Sequence, residues 1–264
     1  MMHHVSAMLE NCEYVRCLMI DFSHAFDVVN HVILLYKLFK LNLPDYIVNW
    51  IVSFLTDRTQ AVKVGDKISC QWFINRGIVQ GSSVGLTFYV VLESGLKPLS
   101  SVNLLCKFVD DTNLLVPAKS NIDIVQEFQH IKQWAMLNKM LINMSNTKEI
   151  VFRRPSIKHF FSPAPVSDVA QVSSAKLLGV ILQSNLHFDE QITVILNMSA
   201  FLSPQNAERP RIVQEEYELC FCALILCKIR YALCAWGSYI TEANKEQKCL
   251  LIQDASLWIC ECSL

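Results

Sequence analysis

The chain has 264 residues, 52% of them hydrophobic and 18% charged, with a formal net charge of −1. That length builds one large domain or two small ones around a sizeable core, and the apolar content excludes a disordered chain. The near-neutral balance weighs against a protein held to a polyanion by charge alone, and it leaves room for local basic patches.

Residues 15–20 (VRCLMI) predict a short buried strand that runs into Asp21. Residues 31–43 and 44–55 predict two helices. In the second, Ile47, Ile51, Phe54 and Leu55 share a face, and Pro44 suits a first turn. Residues 61–70 predict a hairpin turning at Gly65-Asp66. Residues 84–100 predict a helix and then a loop. Residues 104–116 (LLCKFVDDTNLLV) predict two strands with Asp110 and Asp111 at the bend. Ser120 followed by Asp123 signals a helix start, and Ile124, Phe128, Ile131 and Ala135 continue it at helical spacing. Residues 141–152 (LINMSNTKEIVF) predict another hairpin. After a Pro-containing loop at 153–168, residues 176–182 (KLLGVIL) predict a strand. From about residue 190 the tail predicts helix, interrupted at 203–211 (SPQNAERPR).

Eleven cysteines are scattered, and their close pairs are C-x-C (Cys220/Cys222 and Cys260/Cys262), so reduced thiols are expected in place of zinc ligands or disulfides. The histidines lack metal-ligand spacing. The most apolar run, residues 219–227, is far shorter than the roughly 20 residues of a spanning helix. The first residues lack the basic-then-apolar order of a signal peptide. The expectation is an intracellular protein of the nucleus or cytoplasm, without a membrane anchor.

The chemistry centres on Asp110 and Asp111. Charge beside apolar strands needs a partner, a proton or a metal. Alone, the pair is better read as a plain solvated turn. A third carboxylate, Asp21, also follows an apolar strand-like run. If the two strands are neighbours in one sheet, the three carboxylates converge. They could then hold two magnesium ions roughly 4 Å apart, the arrangement for in-line phosphoryl transfer.

Five motifs stand in order: DFSHAFDVVNH, RGIVQGSSVG, KFVDDT, NMSNTKEIVF and KLLGVIL. Their order and spacing resemble the reverse transcriptases of non-LTR (LINE-type) retrotransposons, along nearly the whole chain. The resemblance implies an α+β fold: a palm with an antiparallel sheet packed on helices over residues 1–182, then a helical thumb-like region over 183–264. It implies RNA-directed DNA polymerase activity on an RNA template and DNA primer with deoxynucleoside triphosphates. It also implies two Mg²⁺ ions, with Mn²⁺ as a substitute. Asp21, Asp110 and Asp111 match the metal-binding aspartates. Phe26, which alone would read as a core residue, matches the residue under the incoming sugar, and Gln80 and Gly81 match the template-contacting turn. Lys148 matches a lysine near the triphosphate, Asp27 a structural tie, and Gly179 a turn at the primer end. Arg58 and Gln60 match a recurrent pattern to which no role is given.

The chain departs from the family at His24 (usually Lys), Val79 (usually Pro), residues 84–86 (VGL for LGP) and Val109 (usually Ala). Residues 89–96 lack the customary Asn-Asp. Only twenty residues precede Asp21, so the fingers are expected to be largely missing, as in a truncated or decaying copy. The alternative is therefore a catalytically inactive remnant that folds and binds RNA or a protein; a chain too short to fold alone is the third reading.

Overall fold

The structure is a computed structural model and describes residues 1–154, 160–202 and 222–237. The chain divides into two compact units. One comprises Arg16–Glu149 with Ala164–Gln171, and the other Met1–Val15, Ile150–Pro163 and Val172–Leu264.

The framework of the first unit is set by β1 (Tyr14–Ile20), which belongs to it from Arg16 onward and whose Leu18 and Ile20 are buried. Helix α1 (Met2–Asn11) precedes β1 in the chain, and three helices follow that strand: α2 (His31–Phe39), α3 (Asp45–Leu55) and α4 (Ser83–Glu93). Between α3 and α4 lie four two-residue strands: β2 (Thr59–Gln60), β3 (Lys63–Val64), β4 (Lys67–Ile68) and β5 (Trp72–Phe73). β3 and β4 pair antiparallel, as do β2 and β5, so one small hairpin is nested inside another. The chain then enters β6 (Leu104–Phe108), β7 (Asp111–Pro117) and α5 (Ile124–Leu137). β8 (Lys148–Arg153) and β9 (Ala170–Val172) complete a five-stranded sheet in the order β6-β7-β1-β8-β9.

The α+β class stands, with one correction. The sheet is mixed, where an all-antiparallel one was expected. The order places β1 between β7 and β8, and the chain reaches both from β1 only through long connections; a crossover of a dozen or more residues is what lets a sheet hold parallel neighbours. The core lies against the sheet. Phe88, Tyr89 and Leu92 of α4 are fully buried with Leu34 of α2 and Phe128 and Ile131 of α5. Each such side chain stabilises by about 1.5–3 kcal/mol.

Local chemistry explains the helix ends. Pro44 stands at the N-cap position of α3, one residue before its first turn and without a side-chain hydrogen bond. The Ser82 hydroxyl oxygen accepts from the Gly85 N–H at 3.0 Å and starts α4. Asp123 is the N-cap of α5, accepting from the Gln126 N–H at 2.8 Å. Ser120 therefore does not cap that helix; its hydroxyl donates to Asn103 Oδ1 at 2.6 Å and pins the preceding loop.

Two expected strand features are corrected. Residues 141–147 form no strand of a hairpin: only Ile142 bridges to Phe22, and the rest folds into a tight turn in which the Asn146 and Thr147 N–H groups donate to the Asn143 carbonyl. Residues 176–182 are not one strand. In the second unit they form β10 (Ser174–Leu177) and β11 (Val180–Gln183), paired antiparallel around a Leu178-Gly179 turn with Gly179 at φ +86°. Tyr231 donates to the Leu178 carbonyl at 2.8 Å there. Two elements match expectation in part: α6 (Asp189–Leu202) is helical, and residues 222–236 are helical in short pieces. The expected interruption at 203–211 and the pairs Cys220/Cys222 and Cys260/Cys262 reach outside the described residues.

Candidate functional site

Asp21 stands where β1 ends, and the 143–147 turn wraps it. Its carbonyl accepts from the Asn143 N–H at 2.8 Å, and its own N–H points at Thr147 Oγ1 at 3.4 Å. Its Oδ2 accepts from the side-chain amides of Asn143 at 2.9 Å and Asn146 at 3.1 Å. The Thr147 hydroxyl in turn donates to the Asn143 carbonyl at 2.8 Å, closing the turn on itself.

Asp110 and Asp111 come from the β6–β7 turn. Phe108 pairs with Asp111, so Val109 and Asp110 make a two-residue reversal. Such a turn wants positive φ, and Val109 supplies it at φ +55°, a costly conformation for a β-branched residue. β7 is the sheet neighbour of β1, which brings this turn to the same region as Asp21. The electrostatics agree. The Asp111 carboxyl is pushed above its ordinary range by burial first, then by the negative charges of Asp110 and Asp21. Among the described residues, no hydrogen bond or ion pair reaches the carboxylates of Asp110 or Asp111.

Beside the turn lies a cleft of about 540 Å³. Phe26, Gln80, Gly81, Leu86 and Asp110 all line it. Phe26 is stacked on Tyr89 of α4, ring centroids 5.0 Å apart and planes 21° from parallel. Gly81 has φ +82° and open space where a Cβ would stand. Its glycine is needed for backbone conformation, and the space beyond it is free for a ligand. Gly85 answers to packing: a Cβ there would sit 2.7 Å from the Val79 carbonyl. The Gln80 amide points back to Asp27 Oδ1 at 3.4 Å. Lys148 opens β8 as an exposed side chain, next to Thr147; among the described residues it pairs with no carboxylate.

Sequence reasoning passed over four residues here. Asn143, Asn146 and Thr147 hold Asp21, and their signal was the density of short polar side chains in NMSNT. The fourth is Glu93, 4% exposed, whose Oε1 accepts from the Thr112 hydroxyl at 2.7 Å behind the turn. Burial pushes its carboxyl above the usual range. Its signal was a charge inside an apolar helical run. The Lys107 ammonium donates to the Glu93 carbonyl at 2.7 Å, and that of Lys37 to the Leu92 carbonyl, so two cations cover the end of α4.

The donor chemistry fits a hard divalent cation: three carboxylates, two of them with open lone pairs, in mutual repulsion. The side chains are not drawn into a closed ligand set. Among the described residues, no group of three or more Asp, Glu, His or Cys is arranged to hold a metal.

Comparison with known proteins defines the class. The family model for reverse transcriptase (RNA-dependent DNA polymerase) matches residues 2–182. The chain belongs to this family. It is 30% identical over 218 residues to the RNA-directed DNA polymerase from mobile element jockey of Drosophila melanogaster, covering 75% of this chain and 24% of that protein. It is 29% identical over 194 residues to the probable RNA-directed DNA polymerase from transposon X-element of the same organism, covering 69% of this chain and 21% of that protein. The chain thus spans less than a quarter of these relatives. In fold it is similar to telomerase from Candida tropicalis, solved in complex with a TWJ fragment of telomeric RNA, with a TM-score of 0.51 at 12% identity over 96% of this chain and 44% of that one. Among the described residues, no helix is long and apolar enough to cross a membrane.

Proposed function

We propose that this chain carries an RNA-directed DNA polymerase palm, which adds deoxynucleotides to a primer 3′-hydroxyl on an RNA template. One observation carries the reading: Asp110 shares a cleft with Phe26, Gln80 and Gly81, on a strand turn where the neighbouring Asp111 carboxyl feels the charge of Asp21. Asp21, Asp110 and Asp111 are the residues that would hold Mg²⁺ or Mn²⁺. Bound there, the two ions would acidify the 3′-hydroxyl and neutralise the triphosphate. Phe26, braced by Tyr89, walls the sugar pocket and excludes a 2′-hydroxyl. Gln80 and Gly81 lie along the template base, and Lys148 supplies a proton to the departing pyrophosphate. Residues 1–182 act as the palm and 183–264 as a thumb-like region.

The test is primer extension on an RNA template with Mg²⁺ or Mn²⁺. Synthesis is expected from the wild type and none from Asp110→Ala. Synthesis that persists unchanged in the variant rejects the mechanism.

A second reading has its own support. Asp21 Oδ2 is already occupied by two amides, and among the described residues no closed ligand set is formed. On that reading the chain is an inactive family member that binds RNA or a protein. It predicts no extension under any divalent cation, with RNA binding indifferent to Asp110→Ala.

A further inference from the structure

Arg58, Gln60 and the hairpin that follows have no part in the chemistry above. Every residue from Thr59 to Phe73 is exposed, so this arm adds nothing to the core. Trp72 is 71% and Phe73 81% exposed. They are consecutive on β5 and face opposite sides of the arm. Between residues 58 and 76 there are four cations (Arg58, Lys63, Lys67 and Arg76) against one carboxylate (Asp66), in a chain of net charge −1. At the base of the arm is a second cleft, of about 340 Å³, lined by both arginines with Phe54, Gln60 and Val79, and with Asp27 at one side. The Arg58 guanidinium lies over the Phe54 ring at 5.0 Å, which holds its plane. Among the described residues, neither arginine has a carboxylate within ion-pair range. Val79 lines this cleft and the nucleotide cleft alike, so the two adjoin.

We infer that the arm and its arginine cleft bind the unpaired strand of the RNA template as it approaches the nucleotide cleft. The inference rests on the polymerase reading for the direction of the strand, and on the arm itself for the chemistry. Two guanidiniums that line one cleft with no carboxylate in ion-pair range among the described residues suit successive phosphates, which accept from them in pairs. Exposed indole and phenyl rings on both sides of a ribbon suit bases whose faces are open. A duplex hides those faces.

The experiment is equilibrium binding of the full chain by fluorescence anisotropy, in EDTA and without nucleotides. The probes are a labelled DNA primer on an RNA template with a 5′ overhang of about ten nucleotides, and the same duplex with blunt ends. The double variant Arg58→Ala/Arg76→Ala is expected to weaken overhang binding about tenfold, and to lower the salt slope by about 1 per arginine. Blunt-duplex binding should stay within about twofold, the size of a change with no lost contact. Trp72→Ser, far from the core, is expected to weaken overhang binding about tenfold with an unchanged melting temperature. Arg58→Lys should recover part of the loss, since charge remains and the planar fork does not. Equal losses on both probes, or wild-type overhang binding by both the double variant and Trp72→Ser, overturn the inference; the second result leaves the arm to a protein partner. No step requires turnover. Arginine-dependent overhang binding without primer extension therefore keeps this inference and sinks the polymerase reading, while extension with arm-indifferent binding does the reverse.

Discussion

Two sets of acids in the first unit are treated in opposite ways. Glu127 accepts from the Leu99 N–H, the Ser100 N–H and the Asn103 amide, each at 2.8–2.9 Å, and is fully buried. Glu149, equally buried, pairs with Arg16 at 2.5 Å and takes the Val166 N–H at 3.2 Å. Both are saturated, and each ties distant segments together. At the β6–β7 turn, Asp110 and Asp111 have no such donors among the described residues, and Asp111 is further burdened by its acidic neighbours. A carboxylate used for architecture is given partners by the fold itself. One kept for an external partner is left in debt, electrostatically, until that partner arrives.

The strongest way to break the contrast is to strand a saturated acid. Arg16→Ala leaves Glu149 buried without its cation and should cost about 3–5 kcal/mol in urea denaturation. Replacing Arg16 and Glu149 together by apolar residues should recover most of that loss, because the penalty lies in the unpaired charge. A smaller loss is expected from the backbone beside the open acids. Gly85→Ala drives a methyl into the Val79 carbonyl, 2.7 Å away. It should cost about 1–3 kcal/mol, and it should weaken primer–template binding, since the displaced turn carries Gln80 and Gly81. A loss below the range in urea denaturation would mean that the turn yields easily.

The smallest effect has the opposite sign. Asp111 has its folded pKa raised above the unfolded one, so the native state holds its proton more tightly. The wild type therefore loses stability as pH rises from about 4, the unfolded carboxyl pKa, through the raised folded value. Asp111→Asn should remove that slope and melt higher than the wild type at neutral pH without divalent cation. The gain should stay below about 1 kcal/mol, since solvent screens a partly exposed group. Added Mg²⁺ should reverse the ranking. A variant that melts lower than the wild type in EDTA would show that Asp111 is architectural after all.

Much of this fold was legible because its local signals agree. The apolar run before Asp21, the heptad-like face of Ile47, Ile51, Phe54 and Leu55, and the Gly65-Asp66 turn all became the elements they suggested. The misreadings share one cause: side chains and backbone spent on tertiary tasks. Asn143 and Asn146 look like turn residues between strands, but their amides are committed to Asp21, and the strand never forms. Leu178 and Gly179 both take positive φ and fold an apolar run back on itself. The helix Met2–Asn11 was missed because it has no side-chain cap, and only Met2, Val5 and Leu9 mark its buried face. Asp21, Asp110 and Asp111 could be named from motifs. That Asp111 feels the charge of Asp21 depends on β7 lying beside β1, which is a property of strand order and not of any local run.

The arm from Thr59 to Phe73 has one more implication. Because its side chains all face water, its length and composition are decoupled from folding. Insertions, deletions and charge swaps near its tip can accumulate without unfolding the molecule. On the inference drawn for the arm, a lineage of such chains could thus retune its hold on the template by drift at one hairpin, while the acidic turn stays unaltered.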